Sequence, residues 1–120
     1  MNNFQTDPPS KKSLQSPQLK YEKGYTIFNA TVGMKNGLHA RPSMRLVKLC
    51  NNYDKEVYII SEANPKLKVN AKGMMEMMFL RGVRGTRLEI MIEGTDDKSE
   101  KLALELYKGI ELGGFDVQEV

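Results

Sequence analysis

Strand-like and helix-like stretches alternate along this chain in an order that predicts an α+β domain. The expected architecture is an open-faced β-sandwich: a four-stranded antiparallel sheet with two long helices and one short helix packed on one face. Two observations lead there. From residue 25 onward the order reads strand, helix, strand, strand, short helix, strand, helix, and a long amphipathic helix follows each outer strand. Two such helices can bury their apolar stripes and also cover four strands only if both lie on one side of the sheet. At 120 residues the chain fits one domain, with enough length to bury a core without disulfide or metal staples.

Residues 1–24 carry Asp7-Pro8-Pro9-Ser10 and Ser16-Pro17 among Asn, Gln and Ser, with three of the five prolines and few large apolar side chains. Such a stretch cannot bury enough surface to offset its ordering entropy, so a disordered extension is expected ahead of a domain over 25–120. Tyr25 to Gly33 is β-branched and aromatic with loose alternation, as a first strand should be. Asn36-Gly37 marks a turn, and a helix follows over Ala40 to Asn52 with Leu46, Val47, Cys50 and Tyr53 as its apolar stripe. On another face Arg41, Arg45 and Lys48 recur at helical spacing, which suits either a solvated face or the attraction of acidic partners.

Glu56–Ser61 and Leu67–Asn70 read as the second and third strands, joined by the turn-rich Glu62-Ala63-Asn64-Pro65-Lys66. A short helix begins near Gly73, where four of the eight methionines fall within Met74 to Met78. They cannot all face inward on one turn; Met74, Met77 and Met78 fit an inward stripe, and the remainder forms exposed apolar surface whose flexible thioethers suit several partners. Arg87–Gly94 alternates as the last strand. Thr95 or Asp96 caps the final helix, with Glu100 placed to close a capping box and Leu102, Ala103, Leu106, Tyr107 and Ile110 on its apolar side. Gly113-Gly114 ends that helix, and Phe115 and Val117 are expected to fold back.

Composition narrows the function. The net charge of +3 divides into four lysines against two acids in residues 1–24, and 14 basic against 13 acidic residues afterwards. A nearly balanced domain does not favour nucleic acid, and Arg81-Gly82-Val83-Arg84-Gly85 lacks the aromatic interleaving that would make it an RNA segment. The apolar runs are too short to span a bilayer and no signal-peptide core opens the chain, so a cytoplasmic protein, monomeric and without membrane insertion, is expected. One cysteine and one histidine make neither a disulfide nor a metal cluster, and Cys50 sits in phase with the buried stripe of its helix. Neither metal nor cofactor is expected.

The single histidine lies in Asn36-Gly37-Leu38-His39-Ala40-Arg41-Pro42-Ser43, where a strand hands over to a helix. Proline belongs in the first helical turn, so the helix begins at or just after His39; with His39 as the N-cap, the free amides of that turn, Ala40 and Arg41, point back toward the imidazole. Those donors and the positive end of the helix dipole would receive an anion carried on the ring, and the same positive end disfavours the imidazolium. Arg41 can add a forked donor to phosphoryl oxygens. On the residues alone two readings stand: a polar N-cap, or a nucleophile that accepts a phosphoryl group.

As a string, Gly37-Leu38-His39-Ala40-Arg41-Pro42-Ser43 closely resembles the active-site signature of HPr, the histidine-containing phosphocarrier of the phosphoenolpyruvate-dependent sugar phosphotransferase system. The likeness extends over roughly the last three-quarters of the chain. It implies the same open-faced sandwich. It also implies that the Nδ1 atom of His39 accepts a phosphoryl group from Enzyme I and donates it to Enzyme IIA proteins, with Arg41 as the phosphate-side partner. The protein would then be a stoichiometric carrier and not a turnover enzyme. Enzyme I presents an acidic surface to HPr, which favours Arg45 and Lys48 as partner contacts. Met75 and Met78 best match the family's methionines on the short second helix, which contacts both donor and acceptor.

Four departures from the family stand out. The long N-terminal extension is unusual, and the connection over Glu62–Lys66 is about three residues longer than the usual hairpin, so it is expected to form a surface loop. Gly73 occupies the position where many Gram-positive HPr proteins have a kinase-regulated serine, and Glu76 places a negative charge where a glycine is common. Gly73, Glu76 and the extension motivate an alternative, a regulatory HPr relative whose His39 phosphorylation state signals to partner proteins without sugar transport.

Overall fold

In a computed structural model describing residues 16–116, the elements are β1 (Lys20–Glu22), β2 (Tyr25–Thr31), α1 (Ala40–Asn51), β3 (Val57–Ser61), β4 (Asn64–Asn70), α2 (Met74–Leu80), β5 (Arg87–Glu93) and α3 (Asp97–Ile110). A single turn of 3-10 helix over Gly114–Asp116 follows. The sheet runs in the order β1-β2-β5-β3-β4, and every neighbouring pair is antiparallel.

Period-two alternation places one row of apolar side chains after another on the helix-covered face. Phe28 pairs with Ile90, Ile90 with Ile59 and Ile59 with Val69, and all four are buried. A second row sets Thr26, Ile92 and Val57 side by side, also buried. Against these rows the helices deliver Leu46 and Cys50 from α1, Met77 and Leu80 from α2, and Leu102, Ala103, Leu106 and Ile110 from α3. The class is α+β, with both long helices on one face.

The sheet has five strands and not four. The added strand, β1, lies within the stretch expected to be disordered, and it pairs Lys20 with Ile27 and Glu22 with Tyr25 along the edge of β2. Lys23 and Gly24 turn the chain with positive φ (52° and 83°), which ties the hairpin tightly, and the Tyr21 hydroxyl donates to the Glu100 carboxylate on α3. Backbone pairing, which composition does not report, is what orders these residues. Residues 1–15 of the expected extension, and Val117 of the expected fold-back, lie outside the described residues.

A second correction concerns Glu62–Lys66. Instead of a surface loop, the chain bulges between Ile60 and Ser61, turns at once, and enters β4 at Asn64 opposite Ser61. Pro65 is tolerated there because β4 is an edge strand. At the other end, Asp96 caps α3 by accepting from the Ser99 amide at 3.0 Å. Ser99, not Glu100, occupies the third helical position, so the expected capping box is absent and Glu100 instead receives Tyr21.

Candidate functional site at the start of α1

Helix α1 opens as its sequence requires. His39 is the N-cap in an extended conformation (φ −75°, ψ −170°), and its side chain makes no capping hydrogen bond. The first intrahelical bond runs from the Ser43 amide to the His39 carbonyl at 3.0 Å. Pro42 has no N–H, so the free donors of the first turn are the amides of Ala40 and Arg41. The Ser43 hydroxyl, fully buried, donates back to the Leu38 carbonyl at 2.9 Å and fixes the entry of the chain into the helix.

The loop before His39 is clamped from the opposite side. The Leu38 amide donates to the Gly82 carbonyl at 2.7 Å, and the Gly37 amide to the Met34 carbonyl at 3.0 Å. Gly37 has φ +73°, and a Cβ there would lie 2.6 Å from the Gly82 carbonyl oxygen, so only glycine brings the two loops this close. Asn36, Leu38, His39, Met78, Arg81, Gly82 and Val83 consequently share an open cleft of about 230 Å³. The imidazole is 42% exposed at its edge.

Around the histidine the expected residues separate. Ala40 and Arg41 lie exposed in the first turn. Lys48 is exposed one face along α1, whereas Arg45 is half-buried and donates through Nη1 to the Phe115 carbonyl at 2.6 Å. Arg45 therefore serves the interior contact with the C-terminal segment at least as much as the surface. Met75 (76% exposed) and Met78 (46%) face outward, Met77 is buried, and Met74 is intermediate. Met78 thus leaves the inward stripe, and Phe79 and Val83 join the exposed apolar surface that sequence reading credited to methionines alone. The Asn51 side-chain amide donates to the Lys72 carbonyl (3.1 Å) and the Lys72 ammonium to the Tyr53 carbonyl (2.7 Å), which holds the start of α2 against the far end of α1.

Gly73 starts α2 without a side-chain cap. A Cβ at this position would lie 2.2 Å from Glu76 Oε1, so the Glu76 carboxylate folds back into the space that a side chain at 73 would occupy. The two departures are one arrangement. Cys50 is buried, and desolvation pushes its thiol up to about 12. Packing is its role.

Two neighbours of His39 gave no sequence signal. Arg81 ends α2 in the left-handed region (φ 51°) and lines the cleft beside the ring. Asp116, close to the C-terminus, places Oδ1 3.7 Å from His39 Nε2. Among the described residues no three His, Cys, Asp or Glu side chains gather in a way that could hold a metal ion. No helix there is long and apolar enough to cross a membrane.

The family model described as the PTS HPr component phosphorylation site matches residues 27–107, which takes in His39 and every element from β2 to most of α3. This chain belongs to the HPr family. Among its relatives, the phosphocarrier protein HPr of Treponema pallidum is 30% identical over 69 residues, covering 58% of this chain and 75% of the relative. The HPr-like protein Crh of Bacillus subtilis is 35% identical over 74 residues, covering 60% and 84%. The crystal structure of a phosphocarrier protein HPr from Bacillus anthracis superposes with a TM-score of 0.59 at 30% identity, covering 71% of this chain and 98% of that one.

Proposed function

We propose that this HPr-family protein is a phosphocarrier. His39 accepts a phosphoryl group on Nδ1 from phospho-Enzyme I and passes it to Enzyme IIA proteins of the sugar phosphotransferase system, in a cytoplasmic setting. The observation that carries the reading is a half-exposed imidazole on the N-cap residue of a helix whose free donors are the Ala40 and Arg41 amides. A phosphoryl group on the ring would meet those amides and the positive end of α1, with Arg41 at hand as a forked donor. The open cleft suits a carrier, since each ~1.4 kcal/mol of excess stabilisation of the bound group would slow onward transfer tenfold.

The functional unit is read as residues 25–120 with β1 of the extension docked on its edge. Lys48, Met75 and Met78, with Phe79, Val83 and in part Arg45, are read as the face offered to both partners. A second reading, an HPr-like regulator whose His39 phosphorylation signals without transport, draws on Gly73 and Glu76. Incubation with Enzyme I and phosphoenolpyruvate should produce an acid-labile phosphoryl group that disappears in His39→Ala. Label that survives the substitution would remove both readings. Onward transfer to an Enzyme IIA separates the first from the second.

A further inference from the structure

The segment after α3, residues 111–116, is anchored onto the start of α1 by several contacts. Helix α3 ends where the Gly33 amide donates to the Ile110 carbonyl at 3.0 Å, and a Cβ at Gly33 would stand 2.1 Å from the Glu111 carbonyl oxygen. The chain reverses at Gly113 (φ +80°), and the Asp116 amide donates back to the Gly113 carbonyl at 3.0 Å. Phe115 is buried with its ring lying over Gly109, and Arg45 of α1 holds the Phe115 carbonyl at 2.6 Å. These anchors deliver Asp116 to the imidazole. Its carboxylate stands 3.7 Å from Nε2, within ion-pair reach and just beyond a hydrogen bond, and it is itself only 32% exposed.

We propose that Asp116 is a positioning residue for His39: its carboxylate accepts the Nε2–H of the imidazole, orients the ring, and leaves the Nδ1 lone pair to take the phosphoryl group. The inference deepens the phosphocarrier reading and rests on it. The step balances without a proton leaving the ring. The Nδ1 lone pair forms the N–P bond as the donor's bond to phosphorus breaks, and that bond's electron pair departs with the donor. Positive charge then spreads over the imidazole, whose retained Nε2–H faces the Asp116 carboxylate. On onward transfer the N–P pair returns to Nδ1 and the same proton is still in place. Because both groups are partly solvated, the effect is smaller than for a buried carboxylate–histidine pair.

The test uses the full chain and a small phosphoryl donor, phosphoramidate, which needs no partner protein. Asp116→Asn should slow phosphorylation of His39 by about three- to tenfold, and Asp116→Glu should recover most of the rate. Imidazole nitrogen chemical shifts, read at about pH 9, where an ordinary histidine is neutral, should show a smaller Nε2–H fraction in Asp116→Asn than in the wild type. A slower Asp116→Asn with an unchanged tautomer balance, or one that Asp116→Glu does not restore, would overturn the proposal in favour of a merely structural role. So would wild-type rate and tautomer balance in Asp116→Asn. If phosphoramidate left the wild type unlabelled while the tautomer balance still responded to Asp116→Asn, the contact would stand and the phosphocarrier reading would fall.

Discussion

Replacing Gly109 with alanine should destabilise this protein, although in an ordinary helix the same change stabilises. Gly109 is buried on α3, and an added Cβ would stand 2.3 Å, 2.4 Å and 2.5 Å from Cζ, Cε2 and Cε1 of the Phe115 ring. Alanine improves helix propensity by at most ~1 kcal/mol. Displacing Phe115, which is only 9% exposed, forfeits most of the ~1.5–3 kcal/mol that burying such a ring contributes. The balance is a loss of about 1–2 kcal/mol, which lowers Tm by roughly 4–10 °C in a domain of this size. Thermal unfolding followed by circular dichroism measures it, and the decisive comparison is the same change made in Phe115→Ala. With the ring gone the clash is gone, so Gly109→Ala should then stabilise by up to ~1 kcal/mol. Equal destabilisation in both backgrounds, or stabilisation in the wild type, would refute the role assigned to Phe115.

Further outcomes are expected elsewhere in the fold. Arg81→Gly should raise Tm by several degrees, since glycine relieves about 1 kcal/mol of left-handed strain at φ 51°; thermal melts decide it, and an unchanged Tm contradicts the strain. Hydrogen bonds from Lys55 and then Ser99 hold the Asp96 carboxyl well below the usual range. Its folded value is depressed, so its stabilisation is present above the ordinary carboxylate range and fades as pH falls; a denaturant midpoint series should show a flatter acid limb in Asp96→Asn. Desolvation first, then for the tyrosines a hydrogen-bonded glutamate, pushes Cys50, Tyr53 and Tyr107 up to about 12. Unfolded chains lose these protons near 9.0 and 10.0, so stability should drop as pH rises toward 12, with Cys50→Ala lessening the drop. Glu76→Ala should lower the KM for this protein as a substrate of Enzyme I a fewfold, if the proposed face meets an acidic partner, by removing a negative charge from it; an unchanged or higher KM speaks against that face.

Much of the fold was legible because burial writes itself into the sequence with a fixed period. Ile59 and Ile90 alternate with less buried neighbours and meet Phe28 in one row, and Leu46 and Cys50 fall on one stripe of α1. The placement of His39 at a helix start was equally legible, since Asn36-Gly37 and Pro42 bracket where the helix can begin. Other features left no local trace. Residues Lys20–Glu22 are exposed and compositionally polar, and they become a strand only because β2 offers an unpaired edge. The bulge at Ile60 and Ser61 is a matter of register, which hydropathy does not encode. Arg81 and Asp116 come to His39 through the αL end of α2 and the C-terminal turn, contacts between segments distant in sequence. Arg45 misled for a related reason: helical spacing placed it with the surface cations, while the Phe115 carbonyl claims its guanidinium.

The central claim, that His39 carries phosphorus at the open end of α1, meets its most direct test in nuclear magnetic resonance of protein with nitrogen-15-labelled imidazole. After treatment with Enzyme I and phosphoenolpyruvate, one phosphorus resonance should appear, coupled to Nδ1 of His39. The resonance should vanish on transfer to an Enzyme IIA. Coupling to Nε2, phosphorus on any other side chain, or an unaltered imidazole would contradict it.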